Sequence, residues 1–254
     1  MKGYEPESYG EAFADVYDDW YHAVSNVDDT LGLVGTFGRS GRPTRILELA
    51  VGTGRLALPL ARRGHAVTGI DISPSMLDVL RRNDPDGLVT TIVGDMVDDL
   101  PAGPFDVVLV AYTSLFMLVD PARQAACFAA VAARLAADGV FVVEAFVPFD
   151  PPRPGNDVSL RSMTASTVVL SVSITDAETQ RVDGQFVEFT DGGPVRLRPY
   201  SLRYSTPDEL DAFARRAGLE LAERFEDFAR TKFDSDSSPR HVSVYRHAIA
   251  APGG

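Results

Sequence analysis

Apolar and polar positions change their period twice along the chain. Between residues 8 and 38, Tyr9, Phe13, Val16, Tyr17 and Trp20 recur at steps of three and four, which places them on one face of a helix. Residues 39–43, Arg-Ser-Gly-Arg-Pro, read as a linker. Short apolar runs then alternate with helix-spaced segments. Residues 46–51, 66–70, 89–93, 105–110 and 140–147 predict buried strands. Helices are predicted between them, one of them over 121–137 with Pro121 in its first turn and Gly139 as its stop. Such alternation predicts a parallel sheet with crossover helices. After a Pro-rich break at 148–155 the pattern becomes strand-like, at 168–175, 180–190 and 195–204, joined by polar turns such as Asp191-Gly192-Gly193. Thr206-Pro207-Asp208-Glu209 carries a capping-box signature and opens a helix that ends near Gly218. Two last strands are expected at 219–228 and 241–247, joined by a polar loop.

The expected organisation is therefore an N-terminal helical lid (1–43), an α/β core (44–150), an antiparallel β insertion (151–204), the C-terminal part of the core (205–249) and a tail (250–254). A length of 254 residues suits one domain with such an insertion.

The chemistry gathers where strands end. The first strand runs through Glu48 and Ala50 into the turn Gly52-Thr53-Gly54, whose glycines let the backbone turn sharply and approach a ligand. The second strand ends in Asp71, about twenty residues further on, where an acidic side chain can accept hydrogen bonds from ribose hydroxyls. Ser73-Pro74 starts a capped helix, and the third strand runs into Gly94-Asp95-Met96. Ligands of open α/β sheets bind beyond the carboxyl ends of the strands, which adds Ile72, Met96 and residues 111–113 to the candidates.

In order and spacing, the set acidic-x-x-x-Gly-x-Gly, strand-Asp, Gly-Asp-Met and Phe105-Asp106-apolar strand resembles the class I S-adenosylmethionine-dependent methyltransferases. The resemblance covers residues 44–147 and the C-terminal segment. It implies a Rossmann-like α/β fold: a seven-stranded sheet with helices on both faces, under the N-terminal lid and with the β insertion. It also implies S-adenosylmethionine as cofactor, S-adenosylhomocysteine as product, and a role for each motif. Glu48 and Gly52 lie near the methionine amino group, and the Gly52-to-Gly54 turn, with Ala50 and Thr53, passes under the methionine and ribose. Asp71 holds the ribose, Asp95 accepts from the adenine amino group, and Ile72 and Met96 sandwich the ring. Tyr17, Met76 and Ala111 complete the expected cofactor set. Tyr9 and Tyr17-Asp18 are spaced as in related small-molecule enzymes, including amino-sugar N-methyltransferases, and the resemblance carries to Tyr9 a reach over the cofactor toward the methyl group. A histidine that those enzymes have close to Met117 is absent here.

The acceptor wall is expected from residues 112–117 and 144–149, the insertion and the last hairpin, with Tyr9, Tyr21, Tyr112, Phe116, Met117 and Phe146 as pocket residues. A pocket so rich in apolar and aromatic groups suits a small organic molecule, methylated on nitrogen or oxygen. A natural-product or amino-sugar intermediate is the working acceptor. An amine needs only to lose a proton, whereas a phenol needs a base, for which His241 and Glu144 are the candidates. His65 and His247 fall at the wrong end of the sheet, and His22 could flank the lid. Two rivals stay open on these residues: a non-catalytic S-adenosylmethionine-binding protein and a nicotinamide-dependent oxidoreductase.

Charge and composition remove other classes. A net charge of −12 with no basic cluster disfavours nucleic acid. No run of 18 apolar residues predicts a membrane span, the N-terminus lacks the apolar stretch of a secretory signal, and the single cysteine, Cys127, permits no internal disulfide. A cytoplasmic protein is expected. The histidines are scattered and no group has metal-ligand spacing, so no metal is expected. The insertion is expected to cover the pocket, form a homodimer interface, or both.

Overall fold

The structure is a computed structural model that describes residues 1–21, 27–38, 41–149 and 154–248. His22, part of the linker, the centre of the Pro-rich break and the tail from residue 250 lie outside the described residues.

The N-terminal stripe forms three short helices rather than one: α1 (Ser8–Phe13), α2 (Tyr17–Tyr21) and α3 (Val27–Gly35). The chain turns after Phe13, with Val16 N–H donating to the Phe13 carbonyl, so that Tyr9 and Tyr21 both reach the same cleft. The core follows as β1 (Arg45–Leu49), α4 (Ala57–Arg62), β2 (Ala66–Asp71), α5 (Pro74–Asn83), β3 (Val89–Val93), β4 (Phe105–Val110), a 3-10 turn at Ser114–Met117, α6 (Pro121–Ala132) and β5 (Leu135–Phe146). The insertion supplies β6 (Gly155–Met163), β7 (Thr167–Asp176), β8 (Arg181–Thr190) and β9 (Arg196–Arg203). The chain returns to the core with α7 (Pro207–Arg216), β10 (Leu219–Phe225) and β11 (Arg240–His247).

Seven strands form one sheet in the order β10-β11-β5-β4-β1-β2-β3. The five core strands are parallel, and β11 joins β5 antiparallel, followed by β10. Strand order reverses between β1 and β4, which opens the crevice that α/β sheets use for ligands. Apolar clusters fill both faces of the sheet, one around Leu49, Phe128 and Tyr245, the other around Ile46, Leu60 and Val242.

Local signals explain the boundaries. Ser73 caps α5 by accepting from Met76 N–H, and Thr206 and Glu209 close the expected capping box on α7. The helix expected to Ala137 stops at Ala132, because buried Leu135 already pairs with Phe105 as the first residue of β5. Sheet pairing there outweighs the helix propensity of Ala136 and Ala137. Gly139 is accordingly no helix stop: it sits at a bulge of β5, where an added Cβ would lie 2.8 Å from the Phe105 carbonyl oxygen. The insertion has four strands where three were expected. The additional strand is β6, whose exposed sequence, Gly-Asn-Asp-Val-Ser-Leu-Arg-Ser-Met, carries turn residues at its start and so lacks a strand signature.

Candidate active site

The ends of β1 and β2 are tied together by one carboxylate. Asp71 Oδ2 accepts from Gly52 N–H (2.8 Å) and Oδ1 from Ser73 N–H (2.9 Å). Burial is the leading effect on Asp71 and raises its pKa against those amides. Three residues at the strand ends that are not glycine have positive φ: Ala50 (51°), Tyr112 (51°) and Thr113 (66°). This strain aims backbone and side chains into the crevice, a concentration typical of functional sites. Gly54 (φ 85°) leaves no room for a Cβ, which would meet Leu80 Cγ at 2.8 Å.

Glu48 is buried just behind Ala50, and its Oε2 has no hydrogen-bond partner among the described residues. Desolvation pushes its carboxyl up to about 8, against the lowering effect of Arg55 and with a further raise from Asp71. A buried carboxyl with an unpartnered oxygen behind a glycine turn suits a ligand that brings a positive charge.

On the far side of the crevice, Asp95 Oδ1 accepts from Val97 N–H (2.7 Å) and from Arg123 (2.7 Å), which also binds Asp98. These bonds fix the carboxylate beside Ile72 and Met96, two apolar side chains of the cleft lining suited to a flat ring.

The N-terminal helices close the third side. Glu11 of α1 accepts from Ser73 Oγ (2.7 Å) and from Ser75 Oγ at the start of α5. Gly10 allows that contact, since an added Cβ would run into the Ser73 side chain. Asp18 of α2 accepts from Thr53 Oγ1 (2.5 Å), which ties α2 to the glycine turn. Tyr9 stacks on Phe13 (4.3 Å between ring centroids), Tyr17 meets Tyr21 at a tilt (4.7 Å), and Tyr21 meets Tyr112 edge-on (5.4 Å). Burial raises the pKa of Tyr9, Tyr17 and Tyr112, the last to about 12, so these phenols stay protonated at neutral pH.

The resulting cleft has a volume of about 450 Å³, in the range of small-molecule sites. Of the residues expected at the site, the structure brings Tyr9, Tyr17, Tyr21, Ala50, Gly52, Asp71, Ile72, Met76, Asp95, Met96, Tyr112, Met117 and Phe146 into its lining. Glu48, Thr53 and Gly54, expected at the cofactor, are not among its lining residues. Ala111 and Phe116 are buried core residues, Phe116 packing edge-on against Phe146 at 5.3 Å. Phe186, Tyr200 and Leu202 of the insertion form an outer wall; the expectation named the insertion but no residue in it. Their inward register was readable only with β8 and β9 paired. The last hairpin contributes nothing to the lining.

Neither candidate base faces the cleft. His241 on β11 is fully buried, with Nδ1 2.8 Å from Ser243 Oγ and its ring edge-on to Phe233. Burial, then Arg224, lowers its pKa to about 3, so it is a neutral imidazole. The antiparallel return of β11 does bring it to the ligand end of the sheet, opposite Ala145, but on the buried side. Glu144 Oε2 accepts from Tyr112 N–H (2.9 Å) and its carbonyl from Thr113 N–H, so it holds the strained turn after β4. Among the described residues no cluster of His, Cys, Asp and Glu could hold a metal, and no helix is long and apolar enough to cross a membrane.

A switch-point crevice with a glycine turn, a strand-end aspartate and a buried acidic group is the arrangement expected of a nucleotide-type site on a Rossmann-like sheet. Comparison with known proteins makes this specific. A methyltransferase domain model matches residues 46–139. The solved CcbJ methyltransferase of Streptomyces caelestis is 38% identical, with a TM-score of 0.88 over 97% of this chain and 100% of that one. The cypemycin N-terminal methyltransferase of a Streptomyces species is 27% identical over 226 residues, covering 85% of this chain and 89% of the relative. A dTDP-3-amino-3,6-dideoxy-alpha-D-glucopyranose N,N-dimethyltransferase of Streptomyces fradiae is 30% identical over 159 residues, 62% of this chain and 60% of the relative. The chain belongs to the class I S-adenosylmethionine-dependent methyltransferases, with S-adenosylmethionine as cofactor and S-adenosylhomocysteine as product. That membership sets aside the nicotinamide reading.

Proposed function

We propose that this methyltransferase acts on a nitrogen of a small organic acceptor, an amine of a natural-product or amino-sugar type. One observation carries the choice of nitrogen. The acceptor end of the cleft is walled by Tyr9, Tyr21, Tyr112, Phe186 and Tyr200, and no imidazole is among its lining residues. The two carboxylates of the lining, Asp71 and Asp95, stand at the cofactor end. An amine can shed its proton to water before it enters, and a desolvating aromatic wall selects the neutral form. A phenol or alcohol would need a base at the reacting oxygen. The names of two relatives, an N-terminal methyltransferase and an amino-sugar N,N-dimethyltransferase, point the same way.

When bound, S-adenosylmethionine supplies a methyl group already activated on a sulfonium. The chain then has to position and desolvate. Glu48 and the Gly52 turn hold the methionine end, Asp71 the ribose, and Asp95, Ile72 and Met96 the base. Tyr9 and Tyr21, both in the cleft lining, offer phenol oxygens that accept from the acceptor's N–H and aim its lone pair. The surrounding ring faces favour the ammonium that forms on transfer, and its proton leaves to solvent with the product. In this reading residues 1–43 are the lid, 44–150 with 205–249 the catalytic core, and 151–204 the outer wall.

The test is turnover with radiolabelled S-adenosylmethionine across matched amines and phenols, following S-adenosylhomocysteine release. Methylated amines with no methylated phenols are expected. Turnover of phenols alone would overturn the nitrogen assignment. Cofactor binding without any product would return the chain to a non-catalytic S-adenosylmethionine-binding protein.

A further inference from the structure

Strand β6 lies at the edge of the insertion sheet, and all its residues are exposed except Arg161, which is half-buried. Arg161 is also the one residue of β6 that the ladder skips. Leu160 pairs with Leu170 and Ser162 with Val169, so Arg161 is the extra residue of a β-bulge. Bulges of this kind re-aim a side chain and are frequent beside active sites. Here the guanidinium is brought to the acceptor end of the cleft. Its carbon lies 4.7 Å from the Trp20 ring centroid, 5.0 Å from Tyr21 and 4.7 Å from Phe186, and Tyr21 and Phe186 are both lining residues. Burial, then Tyr21, raises the pKa of the Tyr112 phenol, and Arg161 acts against them, so its field reaches that lining residue too.

Ring faces stabilise a cation but do not neutralise it. The arginines of β9, Arg196, Arg198 and Arg203, are each held by a carboxylate. Arg161 has no carboxylate partner among the described residues; its Nη2 donates at 3.4 Å to the Trp20 carbonyl. A fixed positive charge therefore stands at the acceptor end of the cleft, while the two carboxylates of the lining stand at the cofactor end. That charge disfavours an acceptor whose only charge is an ammonium. It suits one that brings its own counter-ion, and it favours the neutral, nucleophilic form of the amine. One guanidinium matches one carboxylate through its planar fork. A phosphate calls for a second cation, and the other guanidinium packed on Trp20, Arg198 at 5.4 Å, is already committed to Asp15 and Glu188.

We propose that Arg161 is a specificity-determining residue that binds a carboxylate of the acceptor, so that the substrate is an amine carrying a carboxylate, an amino acid or a molecule that ends in one. The amine lies toward Tyr9 and the carboxylate toward Arg161. The inference rests on the amine acceptor proposed above for where the substrate lies, but the carboxylate site can be read without any methyl transfer.

Trp20 is the single tryptophan of the chain, so its fluorescence reports on the neighbourhood of Arg161. The full chain, saturated with S-adenosylhomocysteine, is titrated with a set of α-, β- and γ-amino acids, each beside its primary amide and its amino phosphonate. At least one acid is expected to shift the emission saturably, with a dissociation constant about 10–100-fold below that of its amide. In Arg161→Gln that preference should fall to near unity with S-adenosylhomocysteine still bound. Arg161→Lys should restore part of it, because lysine supplies the charge without the fork. A guanidinium that only packs the rim would weaken acid and amide alike. Equal affinity for acid and amide across the set, or a preference that survives Arg161→Gln, would overturn the proposal. Tighter binding of the phosphonates than of the acids would overturn the choice of carboxylate. Turnover separates the two readings. An amine methylated with no regard to its carboxylate refutes the role of Arg161 and leaves the nitrogen assignment standing. A carboxylate recognised at Trp20 on a molecule methylated at oxygen does the reverse.

Discussion

Glu48 should make cofactor binding a proton-release reaction. In the free protein burial holds its carboxyl at about 8, so at pH 7 roughly nine molecules in ten carry the proton. An ammonium brought to Oε2 favours the carboxylate and pulls that pKa down. Binding at pH 7 then releases close to one proton, and affinity should rise about tenfold per pH unit from pH 6 to pH 8. Above that, the ligand's own α-amino group, with an ordinary pKa near 8, begins to lose its charge and the gain ends. Stability of the free protein runs the opposite way. A carboxyl raised above its unfolded value contributes stability that is complete below about pH 4.5 and is lost as pH rises through about 8. Glu48→Gln, neutral and of the same size, should therefore stabilise the free protein at pH 7 by about 3 kcal/mol, while flattening the affinity profile. Calorimetric titration in two buffers of different ionisation heat counts the protons directly. Zero proton release with a pH-independent affinity would refute this account of Glu48 and its placement at the methionine amino group.

Three further outcomes follow from named contacts. Gly10→Ala drives a Cβ into Ser73 and should lift α1 from α5, weakening cofactor binding with only a small loss of melting temperature; unchanged affinity would mean the lid docks without this contact. Asp71→Asn keeps the volume but turns an amide N–H toward Gly52 N–H or Ser73 N–H, and should lower cofactor affinity by about 10–100-fold in the same titration; a smaller change would argue against ribose binding at Asp71. Arg198 is 4% exposed and joins Asp15 of the lid segment to Glu188 of β8, so Arg198→Met should cost about 3 kcal/mol in denaturant unfolding. A cost below about 1 kcal/mol would show that the bridge is exposed enough to be dispensable.

What could be read in advance and what could not divides along a physical line. The strand-turn-helix segments of the core declare themselves because a buried parallel strand is a continuous apolar run and its turn demands glycine. Asp71 and Asp95 stand at strand ends, where position in the chain alone puts them in the crevice. The insertion is different. Its strands alternate, and alternation says which residues share a face but not which face is inward. For β7 and β8 a reader of the chain alone would turn Leu170, Val172 and Val187 to the core and leave Ser171, Ser173 and Glu188 to water, the reverse of the structure. Only the cleft resolves it, because the face carrying Phe186 and Tyr200 must wall the acceptor. His241 was misleading for a related reason: a strand end places a residue at the right height of the sheet, whereas which side it faces depends on pairing with β5 and on Phe233 packing over it. Function here rests on face as much as on position. The inverted insertion is thus one choice with two consequences, a polar-aromatic wall on the pocket side and, behind it, an apolar face that a single chain leaves uncovered.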